Sequence, residues 1–346
     1  MGSRLVELII FAVVVGTVFV ETSAQCMFLE DEYYGYHCYL EYVNATNVSD
    51  IVDLSGEHVG GRSNAHVETV LVSPTAILEV IPSNIFTTFL NLERFYCNAN
   101  YLQRIDIPFC GPRMRSFQAN LNSVEVLQDG AFRGCRSLEQ LTIILSGLQR
   151  IEPNAFTGLT QLREIIIFGN PLQELNGHLF REQHQLELVR FDQGGLTTIH
   201  PGTFQCKELV VELDLSVNRL ERIEAGTFTN LLRLRTLNLG TNNIQVIEEG
   251  AFANLPLLER LELVENQIAV LDSNLFGTTF QNLNYLGVGS NRLNAVDRQV
   301  FRRFPGLMSF FGAGNVCFSQ NFDDIGSIEN DVAPYLETCF INFDEL

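Results

Sequence analysis

The side chains that could carry chemistry are six histidines, eight cysteines and 41 carboxylates. No two histidines have the spacing of a zinc-binding pair with a glutamate between them. The chain also contains no Gly-x-Ser-x-Gly nucleophile motif and no phosphate-binding glycine loop. The sequence therefore predicts no metal site and no cofactor. The histidines are His37, His58, His66, His178, His184 and His200.

One pair of carboxylates, Asp214 and Glu262, has the chemical composition of a glycosidase dyad. Whether two such groups could act together depends on the elements that position them, and hence on the organisation of the chain. The chain has 346 residues, of which 46% are hydrophobic, so it can bury a sizeable core.

The charge is strongly acidic, with 22 basic against 41 acidic residues and a formal net charge of -19. A surface of this sign repels phosphate at long range, so we expect neither nucleic acid nor an anionic membrane surface as a partner. Of the basic residues, 21 are arginine and only Lys207 is lysine.

Residues 1–24 have the organisation of a secretory signal peptide. Arg4 precedes an apolar or small run of 13 residues, from Leu8 to Val20, and Ala24 ends a segment of small residues. About 20 apolar residues are needed to span a bilayer, so the run is too short for a membrane anchor. We expect cleavage after Ala24, no membrane anchor, and a secreted, extracellular product of 322 residues that starts at Gln25.

A phenylalanine recurs through most of the chain at a nearly constant interval. Seven intervals separate eight phenylalanines, six of 24 residues and one of 25. This regularity predicts a stack of repeated turns. The residues are Phe132, Phe156, Phe180, Phe204, Phe228, Phe252, Phe276 and Phe301.

Ahead of each phenylalanine runs the pattern L-x-x-L-x-L-x-x-N-x-L, seen most clearly in VVELDLSVNRL at 210–220. Eleven turns share this register. Asparagine holds the turn position in eight of them, and Thr75, Ser146 and Gly194 replace it in the others. A buried amide at this position must bond to backbone groups of its own and the neighbouring turn. This asparagine ladder comprises Asn100, Asn122, Asn170, Asn218, Asn242, Asn266, Asn291 and Asn315.

The alternating leucines of each turn mark a short strand with one buried face, and stacked strands form a parallel sheet. The fold class is therefore an α/β repeat solenoid, a horseshoe with a concave parallel β-sheet and cysteine-containing caps. We expect an N-terminal cap at 25–66, a solenoid of about eleven turns at 67–316, and a C-terminal cap at 317–346. The alternating stretch from Ile51 to Leu54 could open the sheet.

Two cysteine pairs bracket the repeats, Cys26 with Cys38 and Cys317 with Cys339, and both pairs are expected to be disulfides of the caps. Cys110 and Cys135 fall on the backs of adjacent turns, which favours a third disulfide. Cys97 is then a small buried hydrophobe. Cys206 is either a free or intermolecular thiol on the back or a second buried cysteine, so Cys206 or a cap could join two copies of the chain.

With these features the chain resembles extracellular leucine-rich repeat proteins of the 24-residue class with cysteine caps, over roughly residues 67–316. Its N-terminal region, residues 26–61, is similar to that of secreted insect members, which include leucine-rich immune proteins and adhesion proteins. Two departures stand out: no coiled coil follows the repeats, and no membrane span or lipid anchor is visible. The resemblance implies a binding role on the concave sheet, because this scaffold serves many unrelated partners.

On the concave sheet, apolar residues between the buried leucines form one expected patch, and charged residues flank it. Irregular strand register, or a loop over the patch, is the alternative explanation of these apolar residues. The expected binding residues are Ile144, Leu145, Ile166, Phe168, Leu188, Arg190, Asp192, Glu212, Asp214, Arg235, Arg260, Glu262 and Glu265. Asp214 and Glu262 then lie two turns apart, roughly 10 Å by strand spacing, and we expect a solvated rim and no enzyme.

Two acceptor sequons for N-linked glycan begin at Asn44 and Asn47, in the N-terminal cap. A third match, at Asn315, is weaker because this asparagine belongs to the predicted ladder. Glycan on the first two would shield that end of the molecule.

The leading functional hypothesis is a secreted protein that recognises an extracellular protein or a glycan-bearing ligand, in innate immunity. The alternatives are a matrix or adhesion component and an inhibitor of an extracellular enzyme, with a hydrolase as the enzyme alternative. An apolar centre with an acidic rim predicts a partner that is apolar at its centre and basic at its edges.

Overall fold

The computed structural model describes residues 25–228, 230–277 and 280–346. The predicted signal peptide, residues 1–24, lies outside the described residues. In the described part of the chain, no helix has the length and apolar character needed to cross a membrane.

Fourteen strands form one sheet along the described chain. Its first and last strands pair antiparallel with their neighbours, and all other pairs are parallel. The strands, in pairing order, are β1 (Gln25–Asp31), β2 (Gly35–Glu41), β4 (Thr69–Val72), β6 (Arg94–Cys97), β7 (Ser116–Gln118), β9 (Gln140–Thr142), β11 (Glu164–Ile166), β13 (Leu188–Arg190), β15 (Glu212–Asp214), β17 (Thr236–Asn238), β19 (Arg260–Glu262), β21 (Tyr285–Gly287), β23 (Ser309–Phe311) and β24 (Asn321–Phe322).

A second, discontinuous row of short strands follows the turns and forms two-stranded parallel ladders. These pairs are β3 (Asn44–Ala45) with β5 (Ile77–Leu78), β8 (Val126–Leu127) with β10 (Arg150–Ile151), β12 (Glu174–Leu175) with β14 (Thr198–Ile199), β16 (Arg222–Ile223) with β18 (Val246–Ile247), and β20 (Val270–Leu271) with β22 (Ala295–Val296). Helical segments are short: α1 (Asn84–Thr88), α2 (Gln299–Arg302), α3 (Glu337–Asp344), 3-10 turns at Asn64–His66, Ser273–Leu275 and Ala333–Tyr335, and a π-turn at Ile328–Val332.

The long sheet follows the predicted register of the eleven turns. In β17 the central Leu237 is buried, while Thr236 and Asn238 are partly exposed on the opposite face. Successive strand residues point to opposite faces, so each turn displays its first and third strand residues on the concave side. The fold is the expected leucine-rich repeat solenoid, with a parallel sheet on that side.

The asparagine ladder holds consecutive turns together. Asn242 accepts a hydrogen bond from the Leu220 backbone N–H (3.0 Å) and donates to the Leu215 and Leu239 carbonyls (3.1 and 3.0 Å). Asn266 and Asn291 repeat this arrangement in the following turns. These amides pair with backbone groups that turn away from the sheet, and among the described ladder asparagines only Asn100 has a buried side-chain oxygen without a partner.

The phenylalanines form a continuous stack behind the sheet in the central turns. Rings from Phe156 to Phe276 stack one above the other with centroids 5.7 to 6.3 Å apart. The stack ends at Phe304, whose ring meets Phe276 edge-on at 4.7 Å, and Phe301 packs instead on Phe310. All eight repeat phenylalanines are buried, and they fill the back of the turns together with other apolar residues such as Leu231 and Leu255.

The N-terminal cap differs from one sequence expectation. Residues 51–54 form no strand, and Ile51 is 87% exposed. The sheet is opened instead by the β1–β2 hairpin, which the Cys26–Cys38 disulfide crosslinks. The 51–54 prediction was wrong because its alternation has another cause: Val52 and Leu54 are buried in the cap core without pairing to a neighbouring strand.

The C-terminal cap closes the other end with the antiparallel strand β24 and helix α3. Cys317 and Cys339 are joined by a disulfide, and Val332, Leu336 and Phe340 are buried against the last turn. The third disulfide joins Cys110 to Cys135 across the backs of adjacent turns. These are the three pairs that the sequence favoured.

Candidate functional site

The parallel register aligns displayed residues of successive turns into rows across the concave face. Ile166 on β11 pairs with Thr142 on one side and Arg190 on the other, and Arg190 pairs with Asp214. Neighbouring strands are about 4.8 Å apart, so side chains of adjacent turns are in contact range. The chemistry of the face therefore changes from turn to turn.

The predicted apolar residues come together in the middle of this face. We define the apolar patch as Ile144, Ile166, Phe168 and Leu188, all of which are partly exposed and none of which is covered by a loop. Leu188 lies in register between Glu164 and Glu212, which border the patch. Ile166 likewise lies in register between Thr142 and Arg190, so polar side chains border the patch along both rows.

Leu145 adjoins the patch but lies beyond the strand. Its backbone has a φ of +50°, its side chain is 49% exposed, and its Cδ2 lies 2.6 Å from where a Cβ on Gly169 would stand. Glycine at 169 therefore makes room for the Leu145 side chain at the rim. The ladder imposes positive φ on the residue before each asparagine, even on Val217 and Thr241.

Next to the apolar patch, Arg190 pairs with Asp192 and Asp214, and we call these three residues, together with Glu212 on the same strand as Asp214, the acidic notch. One guanidinium nitrogen, Arg190 Nη2, lies 3.1 Å from Asp192 Oδ2 and 3.8 Å from Asp214 Oδ2. Ser216 donates its hydroxyl to the other Asp214 oxygen at 2.7 Å. Burial, with the nearby Asp214 charge, raises the pKa of Asp192, while Arg190 opposes the rise.

A second charged group lies further along the face, on β19 and β21. Arg260 donates to Glu262 at 2.7 Å and stacks over the Tyr285 ring, with 3.4 Å from the guanidinium carbon to the ring centroid. Tyr285 stacks in turn on Phe311, at 5.1 Å. Burial and the Glu262 charge raise the pKa of Tyr285 to about 12. Glu262 fits here because Gly287 carries no side chain: a Cβ there would stand 1.9 Å from Oε1.

Arg235 and Glu265, like several other predicted binding residues, lie off the strands. Arg235 precedes β17 and is paired with Glu259, in an edge row that also holds the Arg115–Glu139 pair at 3.0 Å. Glu265 lies in the turn after β19, where it accepts from the Thr241 hydroxyl at 3.1 Å. Their charges reach the rim of the concave face rather than its floor.

Sequence reasoning missed a cluster of tyrosines at the N-terminal end of the same face. Tyr34 and Tyr96 have ring centroids 6.0 Å apart, and Tyr39 pairs in register with Leu71, which pairs with Tyr96. Burial raises the pKa of both Tyr34 and Tyr96. Period-two alternation in residues 35–41 and 94–97 could have found Tyr39 and Tyr96, because it marks strands β2 and β6.

The other residues that the sequence singled out are dispersed. Asn44 and Asn47 are exposed on the N-terminal cap, away from the long sheet, whereas Asn315 bonds to the Leu293 N–H and the Val288 carbonyl. Cys97 is buried, which raises the pKa of its thiol, and Cys206 is an exposed free thiol. In the parts of the chain that the structure describes, no three His, Cys, Asp or Glu residues converge on a possible metal position.

Among the described residues, four buried polar side-chain atoms lack a hydrogen-bond partner. Three of the four belong to the concave face: Arg190 Nε, Asp192 Oδ1 and Glu262 Oε1. Buried polar groups are nearly always paired, because an unmade bond costs about 1–3 kcal/mol. The unmet bonds therefore concentrate in the two charged groups of this face.

Two family patterns match the chain. The "Leucine rich repeat" pattern matches residues 208–268, and the "BspA type Leucine rich repeat region (6 copies)" pattern matches residues 79–210. No curated protein matches the chain in sequence.

Solved structures share the fold at low sequence identity. A chain of the octameric complex of Latrophilin 3, Unc5D and FLRT2 (LRR) is 19% identical with a TM-score of 0.63, over 82% of this chain and 83% of that one. A chain of the Drosophila Toll–Spatzle complex is 19% identical with a TM-score of 0.56, over 72% and 37%. A chain of the TLR13–ssRNA13 complex is 17% identical with a TM-score of 0.53, over 74% and 44%. The chain thus spans less than half of the latter two, and these likenesses concern the fold alone.

Proposed function

The chain is a leucine-rich repeat protein, because the two family matches together span residues 79–268, and from this premise we propose that it is a secreted recognition protein. It binds an extracellular protein on its concave face. The apolar patch forms the centre of the interface, and the acidic notch forms one border.

The observation that carries this proposal is the composition of the concave face. Apolar side chains that remain partly exposed on adjacent strands, bordered by charged groups with unmet hydrogen bonds, have the organisation of an interface core and rim. A face that served only as a support would gain from polar, fully paired residues at these positions. The proposed role is binding without catalysis, because recognition of a partner is enough to employ these groups.

Secretion, glycosylation and an innate immune role belong to the same proposal. Three disulfides in the described chain suit an oxidising compartment. The exposed Asn44 and Asn47 would carry glycan on the cap, which leaves the concave face open. The Toll–Spatzle structure is described as a hub in Drosophila development and innate immunity. We propose a role of that kind, and a mass decrease of the secreted product on deglycosylation tests the glycan sites.

The binding face is tested by Ile166→Asp with Phe168→Asp. The matched control places the same two charges on the convex side, at Leu232 and Leu257, which are 43% and 37% exposed. Each protein is crosslinked in extracellular fluid, and captured proteins are quantified by mass spectrometry. We expect the concave variant to lose the partner that wild type and the convex control retain. A folded, secreted concave variant with full capture would exclude this face.

A further inference from the structure

The acidic notch holds charges that the protein alone does not balance. Asp192 and Asp214 share the single positive charge of Arg190, and Glu212, on the same strand as Asp214, has no salt-bridge partner among the described residues. A single guanidinium nitrogen, Arg190 Nη2, lies near both carboxylates, 3.1 Å from Asp192 Oδ2 and 3.8 Å from Asp214 Oδ2. A guanidinium ordinarily pairs with one carboxylate through two parallel bonds, so this shared arrangement is incomplete.

The unmet atoms show which bonds are missing. Arg190 Nε is a donor without an acceptor, and Asp192 Oδ1 is an acceptor without a donor, although Asp192 is buried, with a relative exposure of 3%. These are the two atoms of the second parallel bond that Arg190 and Asp192 would make. Arg190 is drawn away from that bond by Asp214, whose side chain is 14% exposed on the open side of the notch.

No other charge near the notch relieves this arrangement. On the β11 side, Glu164 borders Leu188 and bonds to Gln140, and Ile166 and Phe168 are uncharged. On the far side, β17 presents Thr236 and Asn238 in register with Glu212 and Asp214. Among the described residues, no second cation is paired with Asp192 or Asp214.

We propose that the acidic notch binds one basic side chain of the protein partner, an arginine or a lysine, whose charged end takes Asp214 while Arg190 moves fully onto Asp192. This inference rests on the proposed function and names the partner's chemistry at one point. The exchange leaves Asp192 and Asp214 each with its own cation and satisfies both unmet atoms. A metal ion is a poorer guest, because Arg190 already holds a positive charge between the two carboxylates.

The apolar patch suits the rest of such a side chain. The stems of arginine and lysine are apolar, and they pack along hydrophobic surface while the charged end stays in a polar site. Leu188 belongs to the same strand as Arg190, and Phe168 lies one strand from Asp192 in the same row. A basic residue beside an apolar residue in the partner therefore matches the notch and the patch together.

Acid should weaken this binding. Facing Asp192 are Arg190 on its own strand and Asp214 on β15, and burial with Asp214 raises the Asp192 pKa. When Asp192 takes up a proton, Arg190 is released to pair with Asp214, and the guest loses its site. The guest affinity is thus full above the Asp192 pKa and falls as the pH drops through it.

The test uses a fluorescent probe, because the chain contains no tryptophan. Acetyl-tryptophanyl-arginine amide is titrated with the full chain against acetyl-tryptophanyl-citrulline amide, which has nearly the same shape without the charge. We expect wild type to bind the arginine probe at least about tenfold more tightly than the citrulline probe at about pH 7.5. That preference should shrink at about pH 5, with little change in citrulline binding.

Asp214→Asn should abolish the preference, and Asp192→Asn should reduce it by a smaller factor, because Arg190 then pairs with Asp214. Glu224→Gln, an exposed carboxylate after β16, removes the same charge elsewhere and should leave the preference intact. If Asp214→Asn does not fold, Asp192→Asn and the pH series still decide. Equal affinity for both probes in wild type, or an undiminished preference in Asp214→Asn, would overturn the notch assignment.

The two proposals fail separately. Loss of partner capture in the Ile166→Asp, Phe168→Asp variant, with no discrimination between the probes, would retain the binding face and reject the basic guest. Discrimination between the probes with undiminished capture would retain the notch and reject the apolar patch as the centre of the interface.

Discussion

Two consecutive turns of the solenoid, residues 186–209 and residues 210–233, have the same length but follow the repeat pattern to different degrees. The second turn has Asn218 in the ladder and Leu231 at the back. The first has Gly194 and Lys207 at these positions, and its displayed Asp192 is buried where the second turn has the partly exposed Ser216.

Of the two turns, residues 186–209 depart from the pattern that stacking of the repeats requires, whereas residues 210–233 follow it. In the second turn every inward position is apolar or fully hydrogen-bonded, as stacking demands. The first turn holds Arg190 and Asp192 with unmet atoms on the front and a buried lysine on the back. Natural sequences depart from local rules mainly at functional or strained sites, and this turn adjoins the apolar patch.

Truncation of the regular back position should have the largest effect. Leu231 is fully buried, so Leu231→Ala removes apolar contacts and leaves a cavity. We expect the free energy of unfolding to fall by about 2–5 kcal/mol. Urea denaturation measures this change. Lys207→Ala, at the equivalent position of the other turn, is the control, and we expect it to lower the free energy of unfolding much less, or to raise it. Similar losses for the two variants would mean that the turns do not differ in this way.

The ladder asparagine should rank next. Asn218 accepts from the Leu196 N–H at 3.0 Å and donates to the Phe191 carbonyl at 2.7 Å. Asn218→Ala leaves both backbone groups buried and unpaired, so we expect a loss of about 1–3 kcal/mol in the free energy of unfolding. Faster amide exchange at Leu196, with Leu220 unchanged, would localise the effect. An unperturbed Leu196 amide would contradict the ladder's role.

Lys207→Leu should stabilise the protein by about 1–2 kcal/mol at neutral pH. The Lys207 side chain is buried, with its ammonium bonded to the Cys206 carbonyl at 3.3 Å, and burial lowers its pKa. Because the pKa of Lys207 is lowered in the folded state, the free energy of unfolding decreases as the pH falls and the buried amine takes up its proton. The wild type is therefore destabilised by this charge at pH 7. The difference in the free energy of unfolding between Lys207→Leu and wild type should narrow at about pH 10. A destabilised variant would show that the ammonium has a structural use.

Asp192→Asn should give the smallest change, a gain of about 0.5–1 kcal/mol at about pH 7.5. Burial raises the Asp192 pKa, so the contribution of this group is favourable at low pH and is lost as the pH rises through the folded-state pKa. The gain in the free energy of unfolding of Asp192→Asn over wild type should therefore disappear as the pH falls toward 4. Thermal melts across this range measure it, with Glu224→Gln as the control. An advantage that grows in acid would refute the raised pKa.

Much of the fold is predictable from the sequence, because the scaffold repeats its own signal. Phe228 and Asn242 recur in register with six or more equivalents, so each position confirms the next. Residues 51–54 have the same alternation as a strand but no equivalent to align with, and burial in the cap produced the pattern instead. The fold could be predicted because the pattern repeats in register, and not because single segments have a strong propensity for one secondary structure.

The proposed binding face is only partly predictable. The pattern marks which side a strand residue faces, and this located the apolar patch and the notch. It does not mark where each strand begins or ends, so Arg235 and Glu265 lie at the rim. Tyr34 was missed because the register of the hairpin is set by pairing and a disulfide rather than by the repeat. Unmet hydrogen bonds, such as those of Asp192, have no sequence signal at all.

Site-specific photo-crosslinking tests the central claim most directly. A benzophenone amino acid replaces Leu188 in the apolar patch or, as the control, Leu257 on the convex side, and each protein is irradiated in extracellular fluid. The concave-face proposal predicts one dominant protein adduct from position 188 that is absent from position 257. An adduct from position 257 alone would contradict it.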